Sequence, residues 1–168
     1  ITYTGAYRAT GTTITINTDG YYVNENKVDI NKTIYNTGLN DNGNIVYQIQ
    51  SIRTVTFPDG ITTRSTTANK TREWLEGAST PTVFADDVYR IIGTATHTSK
   101  RGILYDVTTI TPLIRKVVCH QFVSGEVKIV RNGNTTRFGF INFGNGDCDD
   151  TATVTLDNGR IFNISLRH

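Results

Sequence analysis

At 168 residues the chain is the size of one domain, and its 17 basic and 15 acidic residues are scattered in both signs. No basic run exceeds Lys100-Arg101 or Arg115-Lys116, so no nucleic-acid-binding stripe is expected, and no apolar stretch approaches the roughly 18 residues of a membrane span. Thr, Ile and Val number 60 against 13 for Ala and Leu together, with no sustained 3.6-residue periodicity, and this β-branched excess predicts an all-β protein.

The chain opens at Ile1 rather than Met, as expected either of a precursor from which a leader has been removed or of a trimmed chain. Residues 2–10 and 12–17 read as the first strands. Tyr3, Tyr7 and Ala9 share one parity, and beyond Gly11 the other parity takes Ile14 and Ile16. A segment of this kind, residues 1–17, suits either completion of its own sheet or exchange onto the edge of a neighbour's. Strands follow over 27–36, 44–57 and 61–75, divided by the turns Asp41-Asn42-Gly43 and Pro58-Asp59-Gly60. Glycine takes positive φ at least cost, and Asn and Asp tolerate it. The stretch 77–86, with Pro81, is the longest predicted connection. Strands over 87–98, 103–111, 113–130, 134–143, 151–156 and 160–167 complete the chain. No fixed-period repeat or linker interrupts it. The expected fold is therefore one domain over 1–168, an antiparallel meander of long hairpins forming a β-sandwich or flattened barrel.

Register is open to test because a one-residue slip turns every side chain to the wrong face. A three-residue loop at Asp157-Asn158-Gly159 pairs Val154 with Phe162 and Ala152 with Ile164, which puts the apolar residues on one face. At Arg131-Asn132-Gly133 a two-residue turn is predicted, pairing Ile129 with Thr136, Val127 with Phe138 and Gly125 with Phe140. Continued unbroken, that register sets Cys119 opposite Gly146, two positions from Cys148. A bulge at Gly144-Asn145-Gly146 would bring the two cysteines into line. Two cysteines in a chain that reads as secreted predict a Cys119–Cys148 disulfide, with two buried thiols as the alternative.

Catalytic chemistry is poorly provided for. His97, His120 and His168 are isolated, and strand alternation separates His120 from Cys119, so neither a Cys–His dyad nor another catalytic residue is predicted. Asn145, Asp147 and Asp149 are the best candidates for a hard cation such as Ca²⁺, but such residues also cap their own turns, and no metal or other cofactor is expected. The neighbours Asp86-Asp87 read as the end of a loop, without the partner a paired-carboxylate site requires. Trp74 reads as core rather than as an anchor for a partner or sugar. Asn31, Asn69, Asn134 and Asn163 lie in Asn-x-Ser/Thr frames, which so Thr-rich a chain produces by chance.

Several segments together resemble an uncharacterised family of secreted or lipid-anchored β-proteins of Bacteroidetes. They are Arg53–Gly60 (RTVTFPDG), Thr71–Gly77 (TREWLEG), Asp86–Gly93 (DDVYRIIG), Ile110–Cys119 (ITPLIRKVVC), Val123–Gly125, Phe143–Asp149 (FGNGDCD) and Ala152–Ile164 (ATVTLDNGRIFNI). The resemblance covers about residues 50–168. The run from acidic-cysteine turn through strand, Asn-Gly turn and strand is its most specific part. It departs from the pattern at Asp150-Thr151, where a more basic or amide pair is expected. The resemblance implies export to the cell surface or periplasm and supports the disulfide, and it carries no activity. Asp150-Thr151-Ala152 also fits the O-glycosylation pattern of that phylum, which marks Thr151 as a candidate acceptor.

The expected function is that of a non-enzymatic, extracellular or cell-surface structural protein with possible outer-surface attachment. It would self-assemble by β-strand addition into a homo-oligomer or polymer such as a fibre or pilus. The alternative is a β-barrel or sandwich binding an apolar or glycan ligand. No nucleic-acid partner and no transmembrane segment are expected.

Overall fold

A computed structural model describes residues 1–133 and 136–166. The strands are β1 (Thr2–Tyr3), β2 (Thr13–Asn17), β3 (Tyr22–Val23), β4 (Asn26–Leu39), β5 (Ile45–Thr56), β6 (Thr63–Glu76), β7 (Val88–Thr98) and β8 (Leu104–Lys116). After a 3-10 turn, Val117–Cys119, come β9 (Phe122–Asn132), β10 (Arg137–Asn145), β11 (Thr151–Leu156) and β12 (Ile161–Ser165). All pair antiparallel in one sheet of order β1-β2-β4-β5-β6-β7-β8-β9-β10-β11-β12, with β3 beside β4. The all-β meander is the predicted one. Its strands form one continuous sheet that does not close into a barrel, and the main contacts between elements run between sheet neighbours. Mostly short turns explain this, since each connection from β4 onward returns the chain against the strand just laid down.

The turns behave largely as the Gly and Asx residues dictate. At the last hairpin Gly159 takes φ 80° and Leu156 N–H donates to Arg160 O at 2.9 Å. Val154 then pairs with Phe162 and Ala152 with Ile164, as predicted. The β9–β10 hairpin differs. Val130 faces Phe138, Ile129 faces Gly139 and Val127 faces Ile141, three residues away from the two-residue-turn register. An odd shift exchanges the faces. Ile141 thereby lies across from Val127 and Val154, while Phe138 and Phe140 turn outward beneath the Lys128 ammonium, 4.9 and 5.9 Å from their ring centres. Apolar burial on one face and cation–π contact on the other both favour the observed register.

Two further expectations are corrected. The predicted strand 113–130 is broken by the 3-10 turn, after which His120 takes a left-handed φ of 62°. The predicted strand 2–10 is a strand only at Thr2–Tyr3. Beyond it the chain turns over the sheet, held by Ala9 N–H to Ala6 O at 2.9 Å, Gly11 N–H to Asn36 O at 2.8 Å and the Thr12 hydroxyl to Ala6 O at 2.8 Å. The N-terminal strands pair within the chain, β1 on β2 and β2 on β4.

Glycine is required where bulged strands pass closest. A Cβ at Gly93 would lie 2.2 Å from Asn69 O, and one at Gly125 would lie 2.3 Å from Pro112 O. The core falls into two clusters on the same face of the sheet. Ile14, Ile34, Tyr47 and Trp74 form the first, covered by Tyr7 from the crossing segment. Leu113, Val127, Phe143 and Ala152 form the second, joined by Ile91, Phe122 and Leu166 among others.

Candidate functional site

Strand alternation and the cross-strand pairings divide the sheet into two faces of different chemistry. On the face that carries Tyr47, one row runs Ile30, Arg53, Thr66, His97, Tyr105, Arg131, Arg137 across six successive pairings. The next row runs Lys32, Ser51, Ala68, Ala95, Val107, Ile129, Gly139, Leu156. The first row is cationic. The second, after Lys32, is built of small and aliphatic side chains.

Charge is partitioned between the faces. The strand residues Lys32, Arg53, Arg64, Lys70, Arg72, Arg115, Arg131 and Arg137 all share the Tyr47 face, and no strand carboxylate does. Asp29, Glu73, Glu76, Asp106 and Glu126 take the opposite face with Lys27, Arg90, Lys116 and Lys128. The ion pairs found among the described residues, Lys27–Asp29 and Arg90–Glu73, both at 3.1 Å, lie on that second face. On the first face Arg131 and Arg137 stand directly opposite each other. Burial, and then the nearby Arg72 and Lys70, push the Lys32 ammonium below its ordinary pKa.

The cationic face is hollowed. One hollow, about 260 Å³, is walled by Ile129, Ile141, Val154 and Leu156, with Tyr105, Arg131 and Arg137 at its rim and Asp157 from the hairpin tip nearby. A second, about 200 Å³, is lined by Ile91, Ala95, Val107, Leu113, Val127 and Phe143, with Lys70 at one side. Both draw residues from four or five strands, so the sheet curls toward this face.

At the other end of the face the aromatic residues are occupied with one another. Tyr7 stacks on Tyr47 at 5.1 Å, and Trp74 lies 5.5 Å from Tyr89. The Arg72 guanidinium sits 4.7 Å from the Tyr47 ring and 4.9 Å from that of Tyr89, and it donates to the Tyr7 hydroxyl. Desolvation raises both the Tyr47 and Tyr89 hydroxyls above the ordinary tyrosine range.

The residues singled out from sequence are dispersed. Cys119 and Cys148 are bonded, with Cα atoms 5.4 Å apart, tying the 3-10 turn to the loop before β11. The ladder breaks near the predicted bulge, with a register shift between Asn142 and Asn145, but the hairpin register differs and the 3-10 turn interrupts the strand at Cys119. Thr151 opens β11 and is exposed, and its N–H is held by Asp149 Oδ1 at 3.1 Å. His97 bonds the Thr66 hydroxyl through Nδ1 at 2.9 Å, and His120 is exposed. His168 and Asn134 lie outside the described residues. Asn31, Asn69 and Asn163 are exposed. Trp74 is core, its Nε1 donating to Asp87 Oδ1 at 3.2 Å, and Asp87 also accepts from the Tyr89 hydroxyl at 2.9 Å. Asp86 accepts from Thr80 instead. Asn145 and Asp149 cap the local backbone, and among the described residues no three acidic, His or Cys side chains gather as a metal site.

Sequence reasoning missed the cationic face because it sought basic residues in runs. On strands a basic face appears as every second residue, as in Lys70-x-Arg72, and is completed only across neighbouring strands. Strand parity within β6 alone, where Arg64, Lys70 and Arg72 share one face and Glu73 takes the other, carries the signal, and the bulge between Trp74 and Glu76 adds Glu76 to the Glu73 face. Compared with protein-family models, with curated proteins and with solved structures, the chain matches nothing in any of the three.

Proposed function

We propose that the chain is a non-enzymatic structural protein of the cell exterior whose copies join by strand addition. The observation that carries this reading is the uncovered edge at β12. Among the described residues β12 stands last in the strand order, its residues Ile161–Ile164 pair with β11 without a bulge, a proline or a lysine, and Ile161 is 65% exposed. A free row of backbone donors and acceptors is a template for another strand. The opposite edge of the sheet is the short strand β1, which lies on β2 at Thr2 and Tyr3 and is followed by Thr4 N–H to Thr13 O at 3.0 Å, so the partner strand there would add to the outer side of β1. Joining unlike edges is heterologous and does not close, so it builds a filament. Stacking two cationic faces on each other is opposed by like charge.

Export is supported by the disulfide, which persists in oxidising compartments. No helix among the described residues is long and apolar enough to cross a membrane. The non-enzymatic reading rests on histidines and carboxylates that are dispersed or tied to structural partners.

The test is Ile161→Lys, which places a charge on the edge at an exposed position. Sedimentation velocity and electron microscopy of the parent chain are expected to show concentration-dependent, linear assemblies. The variant is expected to remain monomeric with an unchanged melting temperature. A parent chain that sediments as a monomer at every concentration, or a variant that still assembles, overturns the reading. Deleting residues 1–17 is no clean test, because Ile14 is buried and Tyr7 covers Tyr47.

A further inference from the structure

We propose that the hollowed, cationic face of the sheet is a binding site for an anionic amphiphile, a molecule with an extended hydrocarbon chain and a phosphate or carboxylate head. This goes beyond the edge-to-edge assembly and does not depend on it.

Charge complementarity identifies the head. Eight strand cations share this face with no strand carboxylate. The loop carboxylates that reach it are Asp87, which accepts from Trp74 and Tyr89, and Asp157, which lines the first hollow. The opposite face carries both signs and the ion pairs found among the described residues. Random scatter of side chains would mix the signs on both faces. Arg131 faces Arg137 directly across the β9–β10 ladder, and like charges in that position repel. An anion between them converts the repulsion into two charge-assisted hydrogen bonds, and the planar guanidinium suits a carboxylate or phosphate.

The apolar rows identify the rest of the ligand. Immediately inward of the Arg131–Arg137 pair lie Ile129 and Leu156, and the hollow they wall is about 260 Å³. Val127, the next residue of β9 on this face, lines the neighbouring hollow of about 200 Å³, so a chain leaving the arginines can continue from one into the other. Together the two hollows fall in the range of roughly 300–1,000 Å³ usual for small-ligand sites. Their walls are aliphatic and offer hydrocarbon a surface that excludes water.

The same chemistry argues against an acidic polysaccharide. A sugar chain needs hydrogen-bonding side chains and free aromatic platforms along its length, whereas inward of Tyr105 and the arginines the row is Ala68, Ala95, Val107, Ile129, Gly139 and Leu156. The aromatic rings at the far end are already packed against one another and Arg72. Inorganic phosphate alone would use the arginines but leave the hollows in contact with water.

Isothermal titration calorimetry of the full chain with dodecyl phosphate below its micelle concentration tests the site, with dodecyltrimethylammonium, dodecyl maltoside and inorganic phosphate as the other probes. Dodecyl phosphate is expected to bind saturably, and each of the others at least about tenfold more weakly, since head and tail each contribute more than one factor of ten. The double variant Arg131→Glu/Arg137→Glu changes exposed side chains and is expected to lose at least about tenfold in affinity at an unchanged melting temperature. Ala95→Leu, which fills the second hollow without altering charge, is expected to weaken dodecyl phosphate and leave inorganic phosphate unaffected. Equal binding of the cationic and anionic amphiphiles overturns the proposal. So does full affinity in the arginine double variant, or binding to anionic vesicles with none to the dispersed amphiphile.

Discussion

Arg72 and Glu73 are adjacent in sequence, and strand alternation sends them to opposite faces with different duties. Arg72 lies between Tyr47 and Tyr89, where a flat guanidinium can stack and a compact ammonium cannot. Arg72→Lys is therefore expected to cost about 0.5–2 kcal/mol by urea denaturation despite keeping the charge. Glu73 is buried on the other face and accepts from Asn44 at 2.8 Å, Asn40 at 2.7 Å and Arg90 at 3.1 Å. The Asn44 hydrogen bond leads the effects that hold its carboxyl below the ordinary value of 4.5, against burial, which acts the other way. A lowered folded-state pKa means that this stabilisation is complete above pH 4.5 and is lost as pH falls through the lower, folded value. Glu73→Gln is expected to lower the melting temperature at neutral pH, and the gap to the parent should narrow once the pH falls below 4.5. Thermal melts across that range check it, and a gap that stays constant contradicts it.

Among the elements, the last two hairpins show what a sequence does and does not specify. In β11–β12 the turn Asp157-Asn158-Gly159 and the alternating apolar residues demand the same register, and the structure has it. In β9–β10 the Asn132-Gly133 signal suggests a tight turn, but packing chose a register three residues away, because Ile141 and Phe143 fill the core face better than Phe138 and Phe140. Local turn chemistry gave way there to a contact with β11, which the hairpin's own sequence does not contain. The cationic face was hidden for a similar reason, since Arg131 and Arg137 become neighbours only in the observed register. The disulfide was legible from composition even though its path was not. It closes a span of 29 residues and ties the 3-10 turn to the loop before β11, next to the Gly146 N–H to Val123 O bond at 2.8 Å. Cys119→Ser/Cys148→Ser is expected to lose about 3–4 kcal/mol in chemical denaturation, with the loss centred on β8–β11.

For the whole molecule, one layer has a thermodynamic consequence. The accessible surface is 10431 Å², whereas a compact monomer of 18.6 kDa exposes about 8,200 Å². The excess belongs to the two broad faces that a second sheet would otherwise cover. With contacts running between neighbouring strands, stability approximates a sum of nearest-neighbour terms, as in repeat proteins, rather than one cooperative core. The two apolar clusters mark the division. The first is centred on Tyr47 and Trp74 beneath the N-terminal crossing, and the second on Leu113 and Val127 beside the disulfide. Strand β7 links them, giving Tyr89 to the first and Ile91 to the second. Leu113→Ala deletes buried side chain from the second cluster only and is expected to cost about 2–4 kcal/mol. In a single cooperative core that loss would speed hydrogen exchange equally everywhere. In the one-layer sheet it is expected to speed exchange in β8–β11 while β4–β6, under Tyr7 and around Tyr47, keep their protection. Hydrogen exchange read by mass spectrometry, with peptides from each half, separates the two outcomes. Equal acceleration in both halves would show that the sheet unfolds as one unit and that β7 transmits the whole of the lost stability.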